Sequence, residues 1–208
     1  QFLRFSEKDE PLQIGSFLVG LTCELGMAPG PALGLVSGWD TRYGERILPS
    51  IYLRSSIASD GGEGGSPIFD LNGNLVGMIV VSLPEIRSSY VLPARAIKRI
   101  MDDILLAGEV QYAFFGMQTR EISDLENGPR IVVEQLREDG PAAKGGLQIG
   151  DVLLQVGDFE INSDDDLRVA SFFTRPGEIV PVSVQRGEAA ARIAIRPTVR
   201  EVPITAMP

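Results

Sequence analysis

The chain has 208 residues, 44% of them hydrophobic, so it is long enough to bury the core of one or two globular domains. Its 28 acidic and 19 basic residues give a net charge of -9, which argues against binding to nucleic acid or to an anionic membrane surface. Histidine, the commonest general base and metal ligand, is absent, and Cys23 is the single cysteine. The sequence therefore predicts no cofactor, no metal site and no intrachain disulfide, and we expect Cys23 to be at least half-buried.

Apolar and β-branched runs dominate the first hundred residues, after a polar lead-in over residues 1–11. These runs predict three strands, which cover residues 12–22, 32–38 and 47–57. Further along, apolar residues at helical spacing predict an amphipathic helix that starts near Pro93 and runs to about Ala107, where Gly108 ends it. The apolar positions of this helix are 97, 100, 101 and 104.

A glycine-rich loop, Gly61-Gly62-Glu63-Gly64-Gly65-Ser66-Pro67, connects these strands to the next element. Glycine tolerates positive φ angles, so such a loop can fold back tightly and direct several backbone N–H groups into one concave site for an anion or an oxyanion. The pair Asn72-Gly73 then lies between two apolar runs, which predicts a type I′ turn. Residues 67–82 are therefore predicted to form a β-hairpin.

This succession of strands, glycine loop, hairpin and helix resembles the second β-barrel of the HtrA (Deg) family of trypsin-like serine proteases, from about residue 12 to 107. In that family the loop reads Gly-Asn/Asp-Ser-Gly-Gly-Pro and carries the nucleophilic serine. With Pro67 as the anchor, Gly64 takes the position of that serine, and it has no side-chain oxygen. The resemblance implies a degenerate nucleophile loop with no catalytic residue. The matching positions are Gly62, Glu63, Gly64, Gly65 and Ser66.

Three interpretations of this loop are open. In the favoured one the protease fold is kept and catalysis is lost, because Gly64 is no nucleophile and the chain has no histidine. In the second, Ser66 is a displaced nucleophile with Glu63 or Asp60 as its base, although a carboxylate of ordinary pKa near ~4 is a weak base for a hydroxyl. In the third, the loop is a tight structural turn.

Beyond Gly108 the chain changes character, and residues 139–157 carry the most specific motif in the sequence. The block reads Asp-Gly-Pro-Ala-Ala-Lys-Gly-Gly-Leu-Gln-Ile-Gly-Asp-Val-Leu-Leu-Gln-Val-Gly. It resembles the PDZ domains of HtrA-type proteins, whose pattern is Ser/Gly-Pro-Ala-x-x-Ala/Gly-Gly-Leu-x-x-Gly-Asp-x-Ile/Leu. Strands and one helix are predicted around it. They are a strand at 130–136, a helix capped by Ser163 that runs to about Phe173, and strands at 179–185 and 191–196.

The PDZ resemblance implies a groove that binds an extended peptide as an added strand and holds its terminal carboxylate with backbone N–H groups. The family's loop for the carboxylate falls on residues 114–117, where Gly116 lets the backbone curl around the anion. The helix is expected to add two residues from one face, one turn apart. Alternatively, the two aromatic residues of the loop are only core residues, but we favour groove lining. The predicted peptide-binding residues are Phe114, Phe115, Gly116, Met117, Leu167 and Ser171.

The sequence thus predicts a mainly β protein made of two domains. A trypsin-like β-barrel half-domain covers residues 1–107, and a PDZ domain, a β-sandwich or barrel with two helices, covers 108–200. Residues 201–208 are expected to be an extended tail. Nothing in the sequence resembles the first barrel of a trypsin-like protease, so we expect the half-barrel to expose apolar surface to a partner protein or to another copy of the chain.

The predicted function is non-catalytic: an HtrA-like pseudoprotease that binds peptide or protein C-termini and serves as an adaptor, regulator or structural subunit. The alternatives are an active HtrA-type serine endopeptidase and an architectural subunit whose PDZ groove is idle. No apolar run approaches the roughly 20 residues of a membrane span. The family resemblance implies an extracytoplasmic location, periplasmic or exported, with any anchor upstream of Gln1.

Overall fold

The computed structural model of the chain divides into two compact units, Gln1–Leu106 and Ala107–Pro208, each with its own hydrophobic core. Strands predominate in both units. Among the helices described, none has the length and apolar character needed to cross a bilayer. The polar lead-in and the predicted tail, residues 201–208, lie outside the described part of the chain. The structure describes residues 12–23, 28–41, 48–59, 63–124 and 128–200.

The first unit is a closed barrel of six antiparallel strands in the order β1-β2-β3-β6-β5-β4. Side chains alternate between the two faces of each strand, so every second residue points into the barrel. Leu18, Leu53, Ile79 and Val91 fill this interior and are fully buried. The strands are β1 (Phe17–Thr22), β2 (Gly30–Asp40), β3 (Tyr52–Ser55), β4 (Pro67–Phe69), β5 (Leu75–Leu83) and β6 (Ser88–Pro93).

The predicted hairpin is present as β4 and β5, but its predicted type I′ turn is wrong. Arg87 is the one non-glycine residue with a positive φ in the described ranges, so Asn72 lacks the left-handed conformation that this turn requires. Instead, the Gly73 N–H donates to the Asp70 carbonyl at 3.0 Å, and Gly73 has a φ of +79°. The Asp70 carboxylate accepts the N–H groups of Asn72 and Asn74, each at 2.9 Å. This side-chain contact organises a longer turn.

Burial raises the pKa of Asp70, but the hydrogen bonds from Asn74 and Asn72 outweigh it, so the pKa lies below its ordinary value. The charged carboxylate is therefore the form that holds the turn. A short 3-10 helix, Pro84–Ile86, follows β5 and leads to Arg87 at φ +50°.

The predicted helix is confirmed as α1, Ala94–Ala107, and Gly108 follows it with a φ of +79°. Its exposed and buried faces are unusual. Arg99 and Asp103 are buried and form an ion pair one turn apart, whereas Ile104 is 52% and Leu105 78% exposed. The apolar stripe thus exists, but much of it is open in the part of the chain that the structure describes.

The second unit is an antiparallel sheet in the order β13-β12-β10-β9-β8, with β11 paired to β10 and a separate pair of β7 and β14. Ser163 caps α3 as predicted, because its Oγ accepts the N–H of Asp166 at 3.2 Å. Short strands on both sides of the predicted ones were not anticipated. The elements are β7 (Ala113–Phe114), β8 (Met117–Asp124), β9 (Gly128–Leu136), α2 (Pro141–Gly145), β10 (Val152–Val156), β11 (Phe159–Glu160), α3 (Asp164–Phe173), β12 (Val180–Arg186), β13 (Ala189–Ile195) and β14 (Thr198–Val199).

Cys23 is exposed, so the expectation that it is at least half-buried is wrong. It directly follows the last residue of β1, where the chain leaves the barrel. Burial of a free cysteine is only a tendency of the residue type, and the position at the end of a strand overrides it here.

Candidate functional site

Two glycine-centred loops are the candidate functional sites of the chain, one in each unit. In the first, residues Glu63 to Ser66 form a tight turn that is closed by the Ser66 N–H, which donates to the Glu63 carbonyl at 3.1 Å. Gly65 has a φ of +93°, which only glycine adopts without strain. The Gly65 N–H donates to the Ile79 carbonyl at 2.7 Å, and the Ile79 N–H donates back to Ser66 at 2.9 Å. These bonds attach the turn to β5.

The loop position that matches the nucleophile is open. Gly64 is exposed, and a Cβ built on it has no atom within 4 Å. Ser66 is half-buried, and its hydroxyl makes no hydrogen bond to a carboxylate within the described ranges. Glu63 is buried, with 5% of its surface exposed. Asp60, Gly61 and Gly62, which belong to the predicted oxyanion site, lie outside the described residues.

The second loop, at residues 114–117, turns sharply at Gly116. This glycine has a φ of +74°, and a Cβ built on it lies 3.0 Å from Gly140 Cα and 3.2 Å from Pro141 Cδ. A larger residue would therefore be both strained and crowded. Gly140 and Pro141, at the start of α2, thus pack directly against the loop at Gly116.

The carbonyl groups of this loop are used internally. The Phe115 carbonyl accepts the Ala142 N–H at 2.9 Å, and the Gly116 carbonyl accepts the Arg137 N–H at 2.9 Å. Within the described ranges, the N–H groups of Phe115 and Gly116 donate to no backbone carbonyl. Two consecutive N–H groups beside a left-handed glycine are an arrangement that binds anions.

Strand β8 follows this loop and lies at the edge of its sheet, since it pairs with β9 alone among the described strands. Helix α3 lies near it, and the Thr119 hydroxyl of β8 donates to the Asp164 carboxylate of α3 at 3.2 Å. An edge strand beside a helix can accept an extended peptide as a further strand.

The structure brings the predicted residues of α3 to one helical face, because the Ser171 hydroxyl donates to the Leu167 carbonyl at 2.8 Å. Met117 and Leu167 are half-buried and pack on the core of the unit. Phe115 belongs to that core, with 5% exposed, whereas Phe114 is half-buried and lines a separate pocket. The two aromatic residues therefore differ in their surroundings, which the sequence pattern did not distinguish.

An ion pair that was not anticipated anchors the signature block. Asp151 is 1% exposed, and its carboxylate accepts two hydrogen bonds from Arg186, each at 2.7 Å, and one from the Gln148 N–H at 2.8 Å. The bonds from Arg186 lower the pKa of Asp151 below its ordinary value, against the opposing effect of burial. The Gly-Asp of the motif was the sequence signal that could have indicated this ion pair. The ion pair joins the loop before β10 to β12.

Comparison with known families identifies the second unit. Residues 113–196 match the PDZ domain family. Two curated relatives align with nearly the whole chain, and both are named "Probable periplasmic serine endoprotease DegP-like". The protein from Bartonella henselae is 28% identical over 90% of this chain and 39% of its own length. The protein from Ectopseudomonas mendocina is 26% identical over 93% of this chain and 43% of its own length.

Solved structures give the same fold. The HtrA-type protease AlgW with decapeptide aligns with a TM-score of 0.66 and 21% identity over 97% of this chain and 65% of that chain. The serine endoprotease from Yersinia pestis aligns with a TM-score of 0.57 and 19% identity over 96% of this chain and 67% of that chain. These likenesses confirm the predicted fold class, a mainly β chain with a trypsin-like barrel followed by a PDZ domain.

A closed six-stranded barrel followed by a PDZ domain defines the class of PDZ-containing, trypsin-like protease homologues. Within that class, the chain is similar to HtrA-type proteases over the C-terminal half of the protease domain plus the PDZ domain. It spans about two fifths of the length of the two curated relatives. Their names support an extracytoplasmic location for this chain by family analogy.

Proposed function

We propose that this chain is a non-catalytic, HtrA-like protein that binds peptide or protein C-termini through its PDZ groove and acts as an adaptor, regulator or structural subunit. The observation that carries the proposal is the loop at Phe115 and Gly116. Its carbonyls are bonded internally, while its two N–H groups donate to no backbone carbonyl in the described ranges. A terminal carboxylate is the anion that PDZ domains recognise in this way.

The groove would consist of the six predicted residues. Phe115 and Gly116 would offer their N–H groups to the carboxylate, and β8 would pair with the peptide backbone. Met117 and Leu167, which are half-buried on the core, would form the pocket for the last side chain of the ligand. Phe114 and Ser171 complete the set. In this proposal the trypsin-like barrel covers residues 1–107 and the PDZ domain covers residues 108–200.

The non-catalytic part of the proposal rests on Gly64. The loop keeps the turn and its bonds to β5, but the position that matches the nucleophile has no side-chain oxygen. Ser66, the displaced candidate, has no carboxylate hydrogen-bonded to its hydroxyl among the described residues. A hydroxyl without a base is a poor nucleophile at neutral pH.

An active serine endopeptidase is the second candidate, and the names of the relatives favour it. A fluorophosphonate probe separates the two candidates, because it labels only an activated serine. We expect no labelling of the chain and no cleavage of unfolded casein above a buffer control. Labelling at Ser66 would overturn the non-catalytic proposal, and a Ser66→Ala variant would show whether that residue is responsible.

A screen of peptides with free and amidated C-termini tests the binding part separately. We expect selection of sequences only among the free ends, because the amide removes the negative charge that the two N–H groups bind. An idle groove, the architectural alternative, would give no selection from either set together with stable co-purification in a larger complex.

We also propose that the barrel contacts a partner protein or a second copy of the chain. The outer faces of β1 and β2 carry apolar cross-strand neighbours, since Phe17 lies opposite Leu35 and Val19 opposite Leu33. Phe17 is 52% and Leu33 67% exposed. Exposed apolar surface of this kind is typical of an interface. Light scattering of the purified chain would detect self-association, and a Leu33→Asp variant should abolish it.

A further inference from the structure

The second unit contains a pocket that is separate from the proposed peptide groove. It has a volume of about 740 Å³ and lies between α2, the end of β13 and β14. Of the six predicted groove residues it shares only Phe114. Its volume falls within the range of about 300–1,000 Å³ that is usual for ligand sites.

The pocket is strongly cationic, although the chain as a whole carries a net charge of -9. Four basic side chains line it against a single carboxylate, that of Asp139. Among the described residues, no salt bridge neutralises these basic side chains. The uncompensated positive charge attracts an anion. The four basic residues are Arg137, Lys144, Arg196 and Arg200.

The rest of the lining shows what kind of anion fits. Phe114, Pro141 and Val199 contribute apolar surface, which a bare phosphate or sulfate would not use. Strand β14 pairs only with β7 among the described strands, so one of its edges is open to an extended backbone. Apolar wall, separated cations and an open strand edge together match a peptide in which acidic and apolar side chains alternate.

We propose that this pocket binds an extended acidic peptide segment, independently of the groove for C-terminal carboxylates. Glutamate or aspartate side chains of the segment pair with Arg137, Lys144 and Arg200, while Arg196 is held by its hydrogen bond to the Gly177 carbonyl at 2.8 Å. The intervening apolar side chains lie against Phe114 and Val199. Because the cations are exposed, binding weakens as the salt concentration rises.

The test uses the full chain and a fluorescent, C-terminally amidated hexapeptide of alternating Glu and Leu, with a Gln and Leu peptide as its matched control. Anisotropy at low salt should show saturable binding of the Glu peptide and none of the Gln peptide. An Arg137→Glu, Lys144→Glu double variant should lower the affinity by at least about tenfold, because two attractions become repulsions. An Arg192→Glu variant changes an exposed cation on β13 outside the pocket and should leave the affinity within about twofold.

Three outcomes overturn the proposal. They are no saturable binding of the Glu peptide, an equal loss in the Arg192→Glu variant, and displacement of the Glu peptide by a peptide with a free C-terminus. Vesicles that contain phosphatidylglycerol serve as a fourth arm. If they bind in a manner that depends on Arg137 and Lys144 while the peptide does not bind, the ligand is a lipid surface and the assignment to a peptide is wrong.

Discussion

The two glycine loops of this chain use their backbone groups in opposite ways. At residues 63–66 the N–H of Ser66 donates to the Glu63 carbonyl within the loop, and the N–H of Gly65 donates to the Ile79 carbonyl of β5. At residues 114–117 the loop bonds the carbonyls of Phe115 and Gly116 internally, and their N–H groups donate to no described backbone carbonyl. Each loop depends on one glycine with a positive φ, which is Gly65 in the first loop and Gly116 in the second.

A glycine loop is therefore a binding site only where backbone N–H groups that make no hydrogen bond within the protein face a ligand of suitable chemistry. In the barrel loop, two of the N–H groups hold the turn in place, and the position that matches the nucleophile carries no functional group. In the PDZ loop, the N–H groups of Phe115 and Gly116, which donate to no backbone carbonyl among the described residues, lie beside an edge strand and a helix. We infer that the first loop serves mainly stability and the second binding.

The largest effect is expected from Gly116→Ala. The alanine must adopt a φ of +74° and fit 3.0 Å from Gly140 Cα, which together cost about 1–2 kcal/mol for backbone strain and about 1–3 kcal/mol for overpacking. Affinity for a C-terminal peptide should fall by at least about tenfold, as measured by anisotropy. Gly128→Ala is the matched control, because Gly128 has the same φ with no atom within 4 Å. It should lose stability but keep peptide affinity; an equal loss of affinity would contradict the assignment.

Asp151→Asn should destabilise the second unit by about 1.5–3 kcal/mol, because the charged hydrogen bonds to Arg186 are lost. The folded-state pKa of Asp151 lies below its ordinary value of 3.8. Its stabilising contribution is therefore complete above that ordinary pKa and disappears as the pH falls through the folded-state pKa. Thermal unfolding between pH 7 and pH 2 should show this loss in the parent chain and not in the variant.

Glu134→Gln provides the control for that experiment, since Glu134 and Arg120 form an exposed pair at 3.4 Å. Exposed ion pairs contribute about 0–1 kcal/mol, so its unfolding curve should lie close to that of the parent chain. If Glu134→Gln and Asp151→Asn were equally destabilising, the burial of Asp151 would not be the cause.

Gly65→Ala tests the structural role of the barrel loop. Alanine at a φ of +93° costs about 1–2 kcal/mol, although no atom lies within 4 Å of its Cβ. The barrel should unfold at a lower temperature, and binding of C-terminal peptides should be unchanged. A loss of peptide affinity in this variant would remove the distinction between the two loops.

The smallest effect is expected from Gly64→Ser, which places a hydroxyl at the position that matches the nucleophilic serine of the protease family. Gly64 has no positive φ and no neighbour that a Cβ would contact, so the free energy of unfolding should change by no more than about 0.5 kcal/mol. We expect no fluorophosphonate labelling of the variant, because the chain supplies no histidine to activate the serine. Labelling in Gly64→Ser would show that the remaining groups suffice for activation.

Much of the fold could be predicted because the sequence carries strong local signals. Strands with period-two alternation, the Ser163 cap and the Gly-Asp motif are set by neighbours in the chain, and all three appear in the structure. The type I′ turn failed because the Asp70 side chain competes for the backbone groups of the turn, a preference that the Asn72-Gly73 pair alone does not reveal.

Features that depend on distant parts of the chain were not predictable. The cationic pocket gathers Arg137, Lys144 and Arg200 from three separate segments, so no spacing rule connects them. The burial of Arg99 and Asp103 on α1 also inverts what the apolar stripe of the helix suggests. The candidate groove residues were located by family resemblance, but only the structure separates Phe115 in the core from Phe114 at the pocket.

We infer that the N–H groups of Phe115 and Gly116 bind a terminal carboxylate. Two-dimensional ¹⁵N–¹H spectra of the chain, titrated with one peptide in its free-acid and amidated forms, test it directly. We expect the free acid to shift the amide signals of Phe115 and Gly116, the amide form to leave them in place, and the signals of Gly65 and Ser66 to respond to neither. Equal shifts with both forms, or none at Phe115 and Gly116, would contradict the claim.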